Sequence, residues 1–416
     1  MPPLRTRALA LLVSAGACAL GSLAIADGFD PETPATVVVG SPRGFAPSER
    51  LGSERRGQSK SPLPRAPRKL WARELAGGLS QAPVVDHKGG VIAALSSPDV
   101  VRLAGEDGKQ SWRTRLGARA PVAGPVITSD GSVVVVGGDG TLWSVAAGGG
   151  VRFATPLEVR TRDVVVTPLA LDDGSVIVAG EQALVHVDAR GQIVARAALT
   201  IGEVTMRPVD ALLAYERGVL ATGQDGEVIF WRAPAAPRVL GSFGGRVEGG
   251  AMLVGSRMLV GVVEEMRLVA LDLKTGSATL LSDGGDAALQ LEGPPTLGAR
   301  GLLMVTNAAS ELIRIDAHGV AVSRTALEPA PPQLAVDGGT NIFRRLDDAS
   351  PPLIADPAGR VAFVRSSGKL GIVDEKGGVS TVDGSACRSP LSVLPAGPRR
   401  IVVVCKNGAI AMYGDS

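Results

Sequence analysis

The sequence contains few of the side chains that most often carry chemistry. Its 416 residues include only three histidines and three cysteines, which leaves few ligands for a metal site. Aromatic residues make up 3% of the chain, which is unfavourable for a site that stacks a planar cofactor. The net charge of +2 gives no basic surface of the kind that binds nucleic acid, so we expect no nucleic-acid partner. Motifs of serine hydrolases, zinc proteases, dithiol enzymes and phosphate-binding loops are missing, so we predict no catalytic, metal-binding or cofactor-binding residue.

Glycine and proline are abundant instead. The chain has 54 glycines and 29 prolines, together about a fifth of its residues, and 45% of it is hydrophobic. A strict glycine period is missing, which excludes a collagen-like fibre. This composition is typical of many short strands joined by tight turns.

Residues 1–26 have the features of an export signal. Arg5 and Arg7 form a positive amino-terminal region, an apolar stretch follows, and Ala24-Ile25-Ala26 provides a small-residue cleavage pattern. Two alternatives remain open: lipidation at Cys18, and retention of the apolar run as a membrane anchor. All three place the rest of the chain outside the cytoplasm, in the periplasm or secreted.

Residues 27–69 are rich in proline and basic residues and lack hydrophobic periodicity. Such a segment buries too little surface to offset its ordering entropy, so we expect a disordered linker. A basic tether that touches a membrane or cell-wall polymer is the functional alternative.

From residue 70 onward the chain repeats. The aromatic residues Trp71, Trp112 and Phe153 lead similar segments and lie 41 residues apart. A proline marks the first strand of most units, with a glycine in its place in the fifth. These markers are Pro83, Pro125, Pro168, Pro208, Gly250, Pro295, Pro352 and Pro390. The repeat therefore has eight units of about 43 residues.

Each unit reads as four short strands separated by Gly/Asp turns such as Asp139-Gly140 and Asp225-Gly226. One such sheet cannot bury both faces, whereas sheets stacked around an axis can. We therefore predict an all-β, monomeric, eight-bladed β-propeller over residues 70–416. The last unit lacks an outer strand and the first has a spare one at Leu70-Trp71, so the amino-terminal strand is predicted to close the ring. Cys387 and Cys405 flank the hairpin turn of the last unit, which predicts a disulfide in an oxidising compartment.

Residues 106–117, EDGKQSWRTRLG, resemble the repeat of pyrroloquinoline quinone-type propellers, in which an Asp/Gly turn precedes a Trp-led outer strand. The family includes quinone-dependent alcohol dehydrogenases and non-enzymatic BamB-like scaffolds. In size, repeat number and export signal the chain is similar to the scaffolds. The dehydrogenases, by this resemblance, carry adjacent cysteines and a calcium site, and this chain has no adjacent cysteines.

We therefore expect an exported, non-catalytic scaffold without cofactor that binds another protein of the cell envelope. A quinone-dependent dehydrogenase and a glycan- or anion-binding propeller are the alternatives. The binding face is expected where loops connect the blades. It is predicted to include the insertion 328–350, which lengthens the interval from Pro295 to Pro352 to 57 residues. The candidate contact residues are Arg160, Arg162, Arg207, Arg246, Phe343, Arg344, Arg345, Asp347 and Asp348.

Overall fold

The structure is a computed structural model, and the residues that it describes form 35 strands in a ring of sheets and two short 3-10 helices, Glu49–Leu51 and Ala299–Gly301. It describes residues 44–79, 81–159, 166–206, 209–264, 267–282, 291–307, 310–327, 352–365, 368–382, 387 and 389–415. In these residues no helix is both long enough and apolar enough to cross a membrane. Strands β1 (Gly44–Ala46) and β2 (Arg68–Glu74) precede the blades.

The first four blades follow in chain order. Blade 1 contains β3 (Val84–Asp86), β4 (Val91–Ala94), β5 (Asp99–Leu103) and β6 (Gln110–Arg115). Blade 2 contains β7 (Val126–Ile127), β8 (Val133–Val136), β9 (Thr141–Val145) and β10 (Val151–Pro156). Blade 3 contains β11 (Leu169–Ala170), β12 (Val176–Ala179), β13 (Ala183–Val187) and β14 (Ile193–Ala198). A small hairpin, β15 (Thr200–Ile201) and β16 (Val204–Thr205), precedes blade 4, which contains β17 (Val209–Tyr215), β18 (Gly218–Gly223), β19 (Glu227–Trp231) and β20 (Arg238–Ser242).

The remaining blades complete the ring. Blade 5 contains β21 (Met252–Val254), β22 (Met258–Val263), β23 (Arg267–Asp272) and β24 (Ala278–Ser282). Blade 6 contains β25 (Leu291–Leu297), β26 (Leu303–Asn307), β27 (Glu311–Ile315) and β28 (Ala321–Ala326). Blade 7 contains β29 (Ile354–Ala355), β30 (Val361–Val364), β31 (Leu370–Val373) and β32 (Val379–Val382). Blade 8 combines β33 (Pro390–Pro395), β34 (Arg400–Cys405) and β35 (Ala409–Gly414) with β2.

The predicted eight-bladed propeller is therefore confirmed, and so is its closure by the amino-terminal strand. Strand β2 pairs antiparallel with β35, with Lys69 opposite Tyr413 and Trp71 opposite Met412. The ring thus joins the two ends of the repeat region through main-chain hydrogen bonds.

The hydrophobic pattern changes from the inside of each blade to the outside. Second strands are buried on both faces, as in β8, whose four valines are all inaccessible or nearly so. Outer strands such as β10 alternate exposed and half-buried residues. Both faces of the inner strands are covered by neighbouring blades, so aliphatic runs are favoured there, whereas the outer strands meet solvent.

The aromatic residues that lead the outer strands pack against the third turn of the next blade. The Trp71 indole N–H donates to the Gly105 carbonyl oxygen at 3.0 Å, and that of Trp112 donates to Ala147 at 2.9 Å. Each ring lies over a glycine with positive φ in that turn. An added Cβ would lie 2.6 Å from Trp71 at Gly108 and 2.8 Å from Trp112 at Gly149. The 41-residue aromatic repeat is thus a repeated contact between blades.

The Asp-x-x-Gly turns share one hydrogen-bond pattern. In the turn after β13, the Asp188 carboxylate accepts the N–H groups of Arg190 and Gln192 at 2.9 and 2.8 Å. Asp316 and Asp374 make the same pair of bonds in blades 6 and 7. The tight turn leaves these main-chain N–H groups without main-chain acceptors, and the aspartate carboxylate accepts their hydrogen bonds instead. Aspartate therefore recurs at this position.

Candidate functional site

The central channel of the propeller contains a segment of the chain itself. Residues 44–63, here called the belt, run around the channel and contact the blades in order. The belt begins with β1, which pairs with the inner strand β3, so that blade 1 has five strands. The contacts with later blades are mostly hydrogen bonds between main-chain groups, and side chains contribute further bonds at several blades.

The belt bonds to successive inner strands through its carbonyl oxygens. The donors are main-chain N–H groups of blades 2, 4, 5, 6, 7 and 8. The bonds run from Ile127 to Pro47 (2.8 Å), Ala214 to Ser53 (2.9 Å), Leu253 to Glu54 (3.0 Å), Leu297 to Arg56 (2.8 Å), Ala355 to Gly57 (3.0 Å) and Arg399 to Pro62 (2.7 Å). At blade 3, Glu49 of the belt and Thr167 line the same cleft, and Thr167 helps to lower the pKa of Glu49. The belt therefore touches all eight blades.

Most of these contacts involve the last one or two residues of an inner strand. Because every blade repeats the same connections, the inner strands run in the same direction along the channel. The belt therefore lies at the end that carries the first hairpin turns, here called the turn end. The opposite connection end carries the links between blades. After the belt, the N–H groups of Arg65 and Ala66 donate to the Asp415 carboxylate, and the chain enters β2.

The boundary of the expected linker, 27–69, was therefore wrong at its carboxyl side. Residues 44–67 are held by the hydrogen bonds above, and Ala46, Arg50, Arg55 and Leu63 are buried. The composition of the segment reflects only the apolar surface that its own side chains can bury. The inner strands instead offer main-chain donors to an extended segment, which needs no hydrophobic periodicity to use them.

The belt carries a pair of oppositely charged side chains into the channel. Arg55 is 4% exposed and binds Glu49 through both terminal nitrogens, at 3.0 and 3.1 Å, while its Nη2 also donates to the Gly249 carbonyl oxygen at 3.2 Å. Burial alone would raise the pKa of Glu49, but the charge and hydrogen bonds of Arg55 hold that pKa below its ordinary value. The Glu49 side chain lies deep in the channel yet keeps 37% of its surface accessible.

Arg50 crosses the channel in a different direction. Its Nη2 donates to the carbonyl oxygen of Pro295 in blade 6. Its Nε and Nη1 atoms are buried and have no hydrogen-bond partner. Burial, followed by the like charge of Arg55, lowers the pKa of Arg50 to about 9, so the side chain is still charged at neutral pH.

Asp210, at the start of the inner strand of blade 4, lies near Arg55 on the side of the connection end. Burial raises the pKa of Asp210 to about 6, against the opposing charge of Arg55, and its Oδ2 atom is buried without a hydrogen-bond partner. Glu248 contributes further negative charge, and Arg246 opposes it. The channel thus contains charged groups that are only partly compensated.

One residue of the predicted binding face lies in the described part of the chain. Arg246 is located in the connection between blades 4 and 5, and its Nε lies 3.3 Å from a carboxylate oxygen of Glu248. The other predicted contact residues lie outside the described residues. They are Arg160, Arg162, Arg207, Phe343, Arg344, Arg345, Asp347 and Asp348, and the insertion 328–350 is outside as well.

The structure contains a disulfide between Cys387 and Cys405, whose Cα atoms are 5.5 Å apart. The two cysteines are not directly opposite each other in the hairpin, because the residue opposite Cys405 is Pro390. Cys387 instead lies on the segment that leads into β33. The bridge therefore ties the entry of blade 8 to its second strand.

Glu49, Arg50, Arg55 and Asp210 were not among the residues predicted from the sequence. One signal was available: residues 48–57 read SERLGSERRG, two similar five-residue units that each end in glycine. The pairing of Glu49 with Arg55 rather than with a nearer arginine is set by the path around the channel.

The family resemblance offers a quinone cofactor as an alternative. Such a cofactor would need free aromatic side chains, a disulfide between adjacent cysteines and a metal site. Trp71 and Trp231 are buried between blades, and Trp112 and Trp143 pack against the hydrophobic cluster between blades 1 and 2. The disulfide lies within blade 8 rather than between adjacent residues. Among the described residues, no group of three or more His, Cys, Asp or Glu side chains is placed to hold a metal ion. These residues do not fit a stacked quinone with its metal.

Comparisons with known proteins agree with the fold. The family model of the outer membrane protein assembly factor BamB matches residues 64–211. The crystal structure of BamB from Moraxella catarrhalis is similar, with a TM-score of 0.60 at 16% identity, over 84% of this chain and 100% of that one. The computationally designed protein Ika8 is similar with a TM-score of 0.64 at 14% identity, over the same shares of the two chains. A search of the curated proteins found no match.

The structural neighbours are too distant in sequence to show more than the fold. The family model adds a match that includes β2, blades 1 to 3 and the start of blade 4, where the aromatic and Asp/Gly repeats are clearest. Taken with the eight blades, the family match shows that residues 64–211 are similar to the PQQ-like, BamB-like β-propellers.

Proposed function

We propose that the protein is an exported, non-catalytic scaffold that binds another protein of the cell envelope. The observation that carries this proposal is the match to the BamB family model on a ring of eight blades. The name of that family describes an outer membrane protein assembly factor. In a propeller, function resides in the loops that the rigid ring positions rather than in the blades.

The belt favours one face for the partner. It covers the turn end of the channel with its own main chain, whereas the connection end carries Arg246 and Glu248. The predicted contact residues, including those of the insertion 328–350, belong to connections between blades. We therefore infer that the partner binds at the connection end.

Site-specific crosslinking tests the choice of face. A photo-reactive amino acid is placed at Arg246 on the connection end and, as the matched control, at Asp130 in a first hairpin turn of blade 2. With the full chain in its native cells, we expect one discrete crosslinked protein from Arg246 and none from Asp130. Crosslinking of the same protein from Asp130 alone would contradict the assigned face, and no crosslink from either would contradict the scaffold.

The cysteine pair gives an independent test of export. The Cys387–Cys405 disulfide forms stably in an oxidising compartment and is kept reduced in the cytosol. Thiol alkylation of the full chain should show both cysteines blocked, and a chain without residues 1–26 should show both free. Equal alkylation of the two chains would contradict export through the amino-terminal segment.

A further inference from the structure

Arg50 is a belt side chain with incomplete hydrogen bonding. It is 5% exposed, and only its Nη2 has a partner, the Pro295 carbonyl oxygen. The buried Nε and Nη1 atoms have none, and the same holds for the buried hydroxyl of Ser48 two residues earlier. A guanidinium taken out of water is stabilised by charge-assisted hydrogen bonds, and the acceptor that provides the strongest ones is an anion.

The acidic residues of the channel are committed elsewhere. The charge of Glu49 acts on Arg50, but the two arginine hydrogen bonds that the Glu49 carboxylate accepts both come from Arg55. Asp210 acts on Arg55 and is not among the groups that act on Arg50. In the described part of the channel, Arg50 therefore has a positive charge that no carboxylate directly binds.

The belt is within reach of small solutes. Glu49, next to Arg50 in the chain, keeps 37% of its side chain accessible although it lies inside the ring. A cleft beside it is lined by Ser48, Glu49 and Arg55 of the belt and by Thr167 of blade 3. An ion of a few atoms can therefore approach the belt next to Arg50, although Arg50 itself does not line this cleft.

We propose that Arg50 binds a small oxyanion, such as a carboxylate or sulfate, inside the channel. The anion accepts hydrogen bonds from the unpartnered guanidinium nitrogens and compensates the repulsion between Arg50 and Arg55. Since the belt contacts every blade, an anion bound to it stabilises the whole ring rather than one blade. The site differs from the binding face at the connections between blades and does not depend on it.

Thermal unfolding of the full chain tests the site. Chloride is replaced by acetate, sulfate or inorganic phosphate at constant ionic strength and pH, so that general screening is unchanged. Wild type is compared with Arg50→Gln, Arg50→Lys and the control Arg238→Gln, an exposed arginine on an outer strand of blade 4. At a hundredfold excess over Kd, we expect Tm to rise by about 3–6 °C in wild type and control.

The variants separate a specific site from a general salt effect. Arg50→Gln should lose the saturable rise, and Arg50→Lys should need at least about tenfold more anion, because lysine offers a point charge in place of the planar fork. An equal rise in Arg50→Gln would show a surface effect only and overturn the proposal. If Arg50→Gln does not fold, calorimetric titration of wild type decides, and no saturable binding of any of the three anions would overturn it.

Discussion

The blades and the belt share one ring but are stabilised by different interactions. The blades bury aliphatic runs such as Val133–Val136 between neighbouring sheets. The belt buries few apolar side chains and instead forms main-chain hydrogen bonds with the inner strands and an ion pair between Glu49 and Arg55. The difference shows that a segment without hydrophobic periodicity becomes part of a fold where neighbouring strands leave main-chain groups to be satisfied.

The largest effect is expected from the hydrophobic contact between blades. Trp231 is 2% exposed and packs in the cluster between blades 3 and 4. Trp231→Ala should lower the free energy of unfolding by about 3–5 kcal/mol, through lost transfer energy and a cavity. Guanidinium denaturation measures it, with Trp112→Ala on an outer strand as the control. If Trp231→Ala loses no more stability than Trp112→Ala, at a half-buried position, the buried contact between blades does not have the expected weight.

The disulfide is expected to rank second. Its two cysteines are 18 residues apart in sequence, and a disulfide that closes a loop of this size stabilises the folded protein by about 3 kcal/mol. The double variant Cys387→Ser, Cys405→Ser should show this loss in urea denaturation. Wild type treated with dithiothreitol is the control and should unfold at the same urea concentration as the variant. If both unfold like oxidised wild type, the bridge does not contribute to stability.

In the belt, removing one partner of the ion pair should cost about 2 kcal/mol. Arg55→Gln leaves the Glu49 carboxylate inside the channel without its counter-charge, at less than the full cost of a buried ion because Glu49 is partly accessible. Lys109→Gln at the exposed pair with Asp107 is the control and should cost much less, because solvent screens that pair. Adding Glu49→Gln to Arg55→Gln should recover part of the loss, and strict additivity would contradict direct coupling.

The one expected gain in stability depends on pH. The pKa of Asp210 is raised to about 6, so the folded protein binds this proton more tightly than the unfolded chain does. The stabilising proton is fully bound below about pH 4 and is lost as pH rises through about 6. Asp210→Asn should therefore be more stable than wild type by about 2–3 kcal/mol at pH 8 and nearly equal to it near pH 4. Denaturation of both proteins at the two pH values checks this, and a constant difference would contradict it.

The sequence predicted the blades because each one repeats the same physical solution. The proline markers, the Asp-x-x-Gly turns and the aromatic leaders recur at a fixed interval and correspond to first strands, turns and contacts between blades. The pairing of β2 with β35 followed from counting strands at the two ends. These features depend on local chemistry, which a single unit already contains.

The belt could not be predicted in the same way. Its partners lie on eight different blades and are mostly main-chain N–H groups, which leave no trace in the identity of side chains. Arg50 and Arg55 looked like the solvated charges of a linker, since only the path around the channel brings them to Pro295 and Gly249. A low hydrophobic content indicates disorder only for a chain that must supply its own partners.

The path of the belt has a consequence for biosynthesis. Residues 44–63 leave the ribosome before any blade does, but their last partner, Arg399, belongs to the eighth blade, which follows the other seven in the chain. The belt therefore remains without its full set of partners until the eighth blade is synthesised. A nascent chain stalled in any blade holds an unsatisfied amino-terminal segment, so quality-control proteases have a substrate that the finished ring no longer offers.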